Sequence, residues 1–569
     1  MSTAPSFDWS AGYPSRRSPL FARNVVSTSH PLAAQAGLQV MRAGGNAIDA
    51  AIAAAACMTL VEPCSNGLGS DAFCILWDGQ QLHGLNASGP APAAWTPEFF
   101  QGRMPVRGWN TVTVPGAVGA WAALSERFGR LPFGDLMQPA IEIAERGYAA
   151  PPIVQGKWMQ AAALEELTRQ PGFARAFLPQ GRVPRVGELF RFAEAARSLR
   201  LIAETRGEAF YRGEIAAALA RFARDTGGAL TEADLAAYRP EWVTPLAKDY
   251  AGHTLHEIPP NGQGIAAQMA LGLLEHWDIA AHAVDGPEAQ HLMIEAMKLA
   301  FADVYRYVAE PGAMPVSAAQ LLDPAYLAAR ARLIDPRRAQ VFGAGNPIKG
   351  GTIYLTAADE EGRMVSFIQS NYMGFGSGLV LPGYGVSLQN RGHCFTLEAG
   401  HPNQVAPGKR PFHTIIPAFL TAPTSPAAPA PKALQDRGAA PPWGGPAEAP
   451  TTLTPTLVPV MSFGVMGGNM QPQGHLQTLV RMLSYGQNPQ AACDAPRWRF
   501  NQGLSINVEP HMPAATLAAL AGLGHQIGDI HDSYQDFGAG QFIWRLGNPA
   551  VEGYVAASDP RRDGAAAGW

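Results

Sequence analysis

Between residues 27 and 60 the chain shows two apolar patterns of helical spacing. In the first, Leu32, Ala36, Val40 and Ala43 recur at helical intervals. Ser29 is placed to cap that helix, Pro31 suits its first turn, and Gly44-Gly45 ends it. The second, NAIDAAIAAAACMTLV, is small and apolar on every face, which predicts close packing against a sheet or another helix on most sides. Further helical patterns run over 116–128, 137–147, 191–204, 213–223, 262–275 and 287–308. In the last, Met293, Met297, Ala300 and Val304 form one stripe, with Glu295, Lys298 and Arg306 facing elsewhere. From residue 352 the period changes to two: TIYLTAAD and RMVSFIQS alternate around a DEEG turn, and HTIIPAFL and TLVPVMSFG predict two more strands.

The helix-rich first part and strand-rich second part meet near residue 351 with nothing resembling a linker, which predicts one interleaved α/β body with helical layers covering sheets. Residues 421–454 are Pro- and Ala-rich with almost no large apolar side chains, so they are expected to be a disordered surface insertion, with Trp443 the one residue suited to docking. At 569 residues, 47% apolar and 15% charged, the rest is long and apolar enough for a large core. A net charge of −4 argues against a nucleic-acid or anionic-membrane partner.

The five cysteines form no CxxC pair; Cys57, Cys64 and Cys74 lie among small apolar residues and are expected to be buried free thiols. The N-terminus has no apolar signal-like region and the longest apolar run is too short to span a bilayer, so a soluble cytoplasmic protein is expected. No two of the 14 histidines have metal-site spacing with an acid nearby, and neither a metal nor another cofactor is expected. What does recur is glycine-rich turns at strand ends, at 66–71, 112–119, 259–264, 374–378, 381–385 and 466–469. Without a Cβ, such turns bring backbone N–H groups close to an anion or a developing oxyanion.

Several of these segments carry a resemblance. RAGGNAIDAAIAAAACMTLVEPCSNGLGSDAF, VTVPGAVGAW, PPNGQGIAAQMALGLLE, EAMKLAFADVYRY, GTIYLTAADEEGRMVSFIQSNYMGFGSG, PGKRPFHTIIPAF and GVMGGNMQPQGHLQTLVRML follow the order and spacing of the γ-glutamyltransferase (glutathione hydrolase) family. The resemblance implies a four-layer αββα N-terminal nucleophile hydrolase sandwich built from both halves of one precursor. It also implies self-cleavage between Gly351 and Thr352, into a large segment 1–351 and a small segment 352–569 that stay together as a heterodimer. Thr352 then falls where the family has its nucleophile, Ser370 where a second hydroxyl bonds it, and Gly467 and Gly468 where paired N–H groups form the oxyanion hole. The chemistry is coherent: cleavage frees an α-amine of pKa about 7.7–8.0 on the same residue as the hydroxyl it must deprotonate.

The substrate pocket departs from the family pattern. Asn86 stands where the resemblance implies the arginine that grips the substrate α-carboxylate, and His413 and Thr414 replace two serines of the same anchor. Around the α-amino group, Tyr372, Arg391 and Cys394 replace an asparagine, a glutamine and an aspartate. Losing that aspartate while gaining Arg391 disfavours a substrate ammonium and favours a carboxylate. A shortened segment after Cys394 implies an open site. These departures resemble a divergent branch that includes oxamate amidohydrolase and glutaryl-type acylases. The resemblance thus implies an autoprocessed amidohydrolase or acyltransferase acting on a small-molecule amide. The alternatives are the same chemistry on oxamate or a glutaryl amide, or an inactive binding homologue.

Overall fold

A computed structural model describes residues 17–342, 351–424, 457–530 and 537–569. Up to residue 350 the strands of its two main sheets are β1 (Leu20–Ala22), β2 (Val25–Thr28), β3 (Asp71–Trp77), β4 (Leu82–Ala87), β5 (Glu241–Val243), β6 (Leu246–Tyr250) and β7 (His253–Glu257). From residue 351 they are β8 (Gly351–Ala358), β9 (Met364–Tyr372), β10 (Ala418–Pro423), β11 (Leu457–Met466), β12 (Ala539–Arg545), β13 (Tyr554–Ser558) and β14 (Ala565–Gly568). They form two 7-stranded sheets, ordered β14-β2-β8-β9-β3-β4-β5 and β1-β13-β12-β11-β10-β7-β6. Each sheet mixes strands from both sides of residue 351, so the two parts share one body.

The outer face of the first sheet is covered by α1 (Pro31–Arg42), α2 (Ala47–Val61), α3 (Ala117–Phe128), α4 (Phe133–Arg146) and α5 (Ala193–Thr205). The second sheet is covered by α6 (Ile265–Leu274), α7 (Pro287–Tyr307) and α8 (Met470–Leu479). Phe73, Ile75, Tyr354, Ile368, Phe419 and Ile543 fill the space between the sheets, which completes a helix-sheet-sheet-helix sandwich. All 15 residues of α2 are buried, as its small side chains require. Asn46 and Asp49 close a reciprocal cap at its start.

Some local expectations shift. The cap of α1 is His30, whose Nδ1 accepts the Leu32 N–H, while the Ser29 hydroxyl donates to Glu62 at 2.6 Å. Burial holds His30 near a pKa of about 4, so it stays neutral and able to accept. The helix expected over 137–147 begins at Phe133, with Asp135 favouring its positive end. Glu295 and Lys298, off the apolar stripe of α7, form a buried pair at 2.6 Å, covered by Gln340, whose N–H and carbonyl bond the two. The strand expected over 413–420 begins only at Ala418, because Pro417 lacks an N–H and the preceding backbone bonds Asn261, Gln263 and Gln471 instead. Residues 421–423 belong to β10, and residues 425–454 of the expected insertion, Trp443 included, lie outside the described residues. All five cysteines are free and buried. Among the described residues no helix is long and apolar enough to cross a membrane.

Gly464 of β11 packs tightly against Tyr354 of the other sheet: an added Cβ would stand 2.5 Å from the Tyr354 ring. Gly464→Val is therefore expected to lower the melting temperature by about 1–3 °C through overpacking of roughly 1–3 kcal/mol, measured by differential scanning fluorimetry.

Candidate active site

Thr352 opens the long hairpin β8-β9 and is fully buried at the end of the inter-sheet layer. Gly351 pairs with Tyr372, and the register shifts between Gly351 and Ile353, so Thr352 sits at an irregularity rather than inside the regular ladder. Its hydroxyl donates to Ser370 Oγ at 3.4 Å and accepts from Gln471 Nε2 at 3.2 Å. Ser370 Oγ also accepts the Tyr372 N–H at 2.7 Å, and Tyr372 itself has φ +77°.

Gly467 and Gly468 form the turn between β11 and α8, with φ +125° and +60°. An added Cβ on Gly467 would lie 2.9 Å from the Gly538 Cα, so both backbone angle and space exclude a side chain there. The Gly468 carbonyl accepts from Gln263 Nε2 at 3.0 Å and from the Gln471 N–H at 3.1 Å. Those bonds turn the peptide so that its carbonyl is occupied, and among the described residues the N–H groups of Gly467 and Gly468 carry no hydrogen bond. Gln471 thus joins the glycine turn to Thr352. The sequence pattern singles out Thr352, Ser370 and the glycines but passes over Gln263 and Gln471. The signal for Gln471 is the polar-rich run QPQGHLQ at a helix start, every residue of which is buried; Gln263 lies within the glycine turn at 259–264.

Beside this group lies a cavity of about 730 Å³. Its lining is mixed: Met104, Val308, Phe395, Leu397 and Phe412 supply apolar surface, while Tyr372, Thr414, Asn403, Asn469, His401 and the carboxylate of Glu398 supply polar surface. The segment after Cys394 forms one of these walls. Arg391 is fully buried directly behind Tyr372, Cys394 and Thr414: its Nη1 donates to Thr414 Oγ1 at 2.7 Å, and its Cζ stands 4.8 Å from the Tyr372 ring centre. Nε and Nη2 have no hydrogen-bond partner among the described residues. Thr414 accepts from Arg391, which leaves its own proton free to donate toward the cavity.

Asn86 and His413 do not line the cavity. Asn86 bonds Asn261 and Ser88. The fully buried His413 faces Asp71 at 3.2 Å and packs edge-on against Phe73. Burial raises the Asp71 carboxyl to about 7, against the pull of Arg391 and of backbone N–H donors. Burial and Arg391 hold His413 well below its usual range, so it stays neutral.

His291, Glu295 and His525 bring ligand-type atoms within 4.8 Å of one another. Their atoms are already committed: His291 Nδ1 bonds His525 at 2.8 Å, His291 Nε2 bonds the Asp335 carbonyl, and Lys298 bonds Glu295 and faces His525 at 3.5 Å. A cation there would meet the Lys298 ammonium, so the cluster works as a buried polar staple.

The family model described as Gamma-glutamyltranspeptidase matches residues 33–429 and 447–569, leaving unmatched only an internal part of the expected insertion and the N-terminal residues. The crystal structure of cephalosporin acylase from Bacillus halodurans is 44% identical, covers 100% of this chain and 99% of that chain, and superposes with a TM-score of 0.88. The oxamate amidohydrolase proenzyme of Klebsiella pneumoniae is 34% identical over 95% of this chain and 97% of its own length. The glutathione hydrolase-like YwrD proenzyme of Bacillus subtilis is 32% identical over 97% of this chain and 99% of its own length.

The uncompensated guanidinium behind Thr414 makes an anion test direct. Glutarate is expected to raise the melting temperature at pH 6, and the shift is expected to shrink by pH 8, as Asp71 ionises through about 7 and its carboxylate competes for Arg391. In Arg391→Met the glutarate shift should vanish at both pH values, read by the same fluorimetric melt.

Proposed function

The chain belongs to the gamma-glutamyltranspeptidase family, and from that premise we propose that Thr352 is the nucleophile of an amidohydrolase that prefers acyl groups carrying a carboxylate and no ammonium. The enzyme is an autoprocessed amidohydrolase or acyltransferase: its relatives are proenzymes named for amide hydrolysis, acylase activity and glutathione hydrolysis. Processing into subunits is part of that assignment. The cut between Gly351 and Thr352, and a heterodimer of residues 1–351 with 352–569, belong to the proposal.

The observation that carries the nucleophile is the buried Thr352 hydroxyl, held between Ser370 and Gln471 beside the turn of Gly467 and Gly468. After cleavage the Thr352 α-amine takes the hydroxyl proton, the Oγ–C bond forms, and the carbonyl electron pair moves onto an oxygen facing the glycine N–H groups. Collapse breaks the C–N bond, and the ammonium returns its proton to the departing amine. Water or a second amine then attacks the acyl-threonine by the same route in reverse.

Arg391 supports the acyl preference. Its charge lies behind Thr414, and the acid nearby, Asp71, is held by His413 and backbone N–H groups rather than offered to a ligand. A substrate ammonium in that place would face an arginine without a free carboxylate. The volume of about 730 Å³ suits an amide of a bulky amine better than a molecule as small as oxamate.

On a denaturing gel the wild type is expected to run as two fragments cut before Thr352, and Thr352→Ala as one uncut and inactive chain. Among glutaryl, γ-glutamyl and oxamate substrates, the glutaryl anilide is expected to have the highest kcat/KM. Arg391→Met should raise its KM roughly tenfold or more, the loss of one charge-assisted contact. An uncut, fully active wild type would overturn the mechanism; a γ-glutamyl preference would overturn the acyl assignment.

A further inference from the structure

Thr352 Oγ1 has one proton and two lone pairs. The proton points to Ser370 Oγ, and one lone pair accepts from Gln471 Nε2 at 3.2 Å. The Gln471 amide is locked in this orientation: its Oε1 accepts the Ile416 N–H at 2.8 Å, and a flipped amide would press NH₂ against that donor. The side chain is fully buried in the first turn of α8, immediately after the glycine turn, so no water competes for the bond.

We propose that Gln471 is the donor that stabilises charge on the nucleophilic oxygen, in self-cleavage and in turnover alike. The inference rests on Thr352 being the nucleophile. During turnover the Oγ–H bond breaks, its proton passes to the Thr352 α-amine, and the Oγ–C bond forms as the carbonyl pair moves to oxygen. In self-cleavage the oxygen attacks the Gly351 carbonyl, the proton ends on the Thr352 nitrogen as the Gly351–Thr352 C–N bond breaks, and water then hydrolyses the resulting ester. The Ser370 contact uses the proton being removed and cannot persist unchanged through that step. The Gln471 contact uses a lone pair and strengthens as negative charge grows on Oγ1. Once the ester has formed, Oγ1 is a weaker acceptor and the bond relaxes, so the interaction favours the transition state over the states on either side. Ser370 orients the hydroxyl before proton transfer; Gln471 holds the oxygen during it, and leaves the second lone pair for the carbonyl carbon.

Gln471→Glu tests this with little change of shape. One carboxylate oxygen keeps the Ile416 bond, and the other turns the arm on Thr352 from donor to acceptor. In mature enzyme normalised to its N-terminal threonine content, kcat is expected to fall by roughly 30-fold or more with KM within about threefold. The acid limb of the kcat/KM profile should also move to higher pH, because a nearby carboxylate favours the charged Thr352 ammonium. Gln471→Leu removes the donor without adding charge: kcat should fall by about 10- to 100-fold and the acid limb should stay in place. Where a variant matures too slowly to purify, the half-time of cutting on a denaturing gel replaces kcat, since the same oxygen attacks the Gly351 carbonyl. Slow cutting with a melt near the wild-type temperature supports the proposal. A Gln471→Glu enzyme within twofold of wild type in kcat, with an unmoved acid limb, overturns it, as does cutting at the wild-type rate. Thr352→Ala run alongside separates the two ideas. If that variant is active the nucleophile assignment fails, and if it is inactive while Gln471→Glu is unimpaired only the role of Gln471 fails.

Discussion

The molecule depends on the position of β8 in its sheet. The proposed cut before Thr352 requires a strand that holds its place without help from the covalent link preceding it. β8 is hydrogen-bonded on one side to β9, from Ile353 through Ala358, and on the other to β2, from Leu355 through Ala358. Its side chains are buried on both faces, Ile353 and Leu355 under the helices and Tyr354 between the sheets. Thr352 lies just before that firmly paired stretch. Residues 353–358 anchor it while its own position is free of regular pairing, the arrangement a new N-terminus needs.

The polar machinery is then a matter of satisfying buried amides. Gln263 and Gln471 each spend one end of the side chain or both on backbone groups of the 413–417 segment and of the glycine turn. That segment does not become strand because its backbone groups are claimed elsewhere: His413 by the backbone of Asn261 and Gln263, the Thr414 carbonyl by Gln263 Nε2 and the Ile416 N–H by Gln471 Oε1. Arg391 is held differently, as a charge without a committed counter-ion. Arg391 has one hydrogen bond to a neutral hydroxyl, a stacked tyrosine and a carboxyl that burial keeps near neutrality. Such an arrangement is costly in the empty enzyme, and the proposed substrate carboxylate would offset that cost.

Much of this was legible in the sequence. The Gly351-Thr352 step into a two-residue period, the all-small helix over 47–61 and the glycine pair at 467–468 each state a local requirement that the structure meets. The family resemblance supplied the order of these pieces. What was not legible depends on long-range partners. Glu295 and Lys298 fall off the apolar stripe of their helix, and their burial as a pair depends on the return of the chain near Gln340. Asn86 and His413 occupy positions suited to a ligand, yet each is bonded to protein, Asn86 through Asn261 and His413 through Asp71. Gln471 could not be told from any helix-surface glutamine until Thr352 was seen at 3.2 Å.

The central claim is that the acyl group passes through the oxygen of Thr352. Acid quenching during turnover of a glutaryl anilide, followed by tryptic mass mapping, separates residues 352–363 from the peptide that holds Ser370. The account predicts a glutaryl increment on peptide 352–363, absent without substrate. The same increment on a peptide carrying Ser370 or Cys394, with 352–363 unmodified, would contradict it.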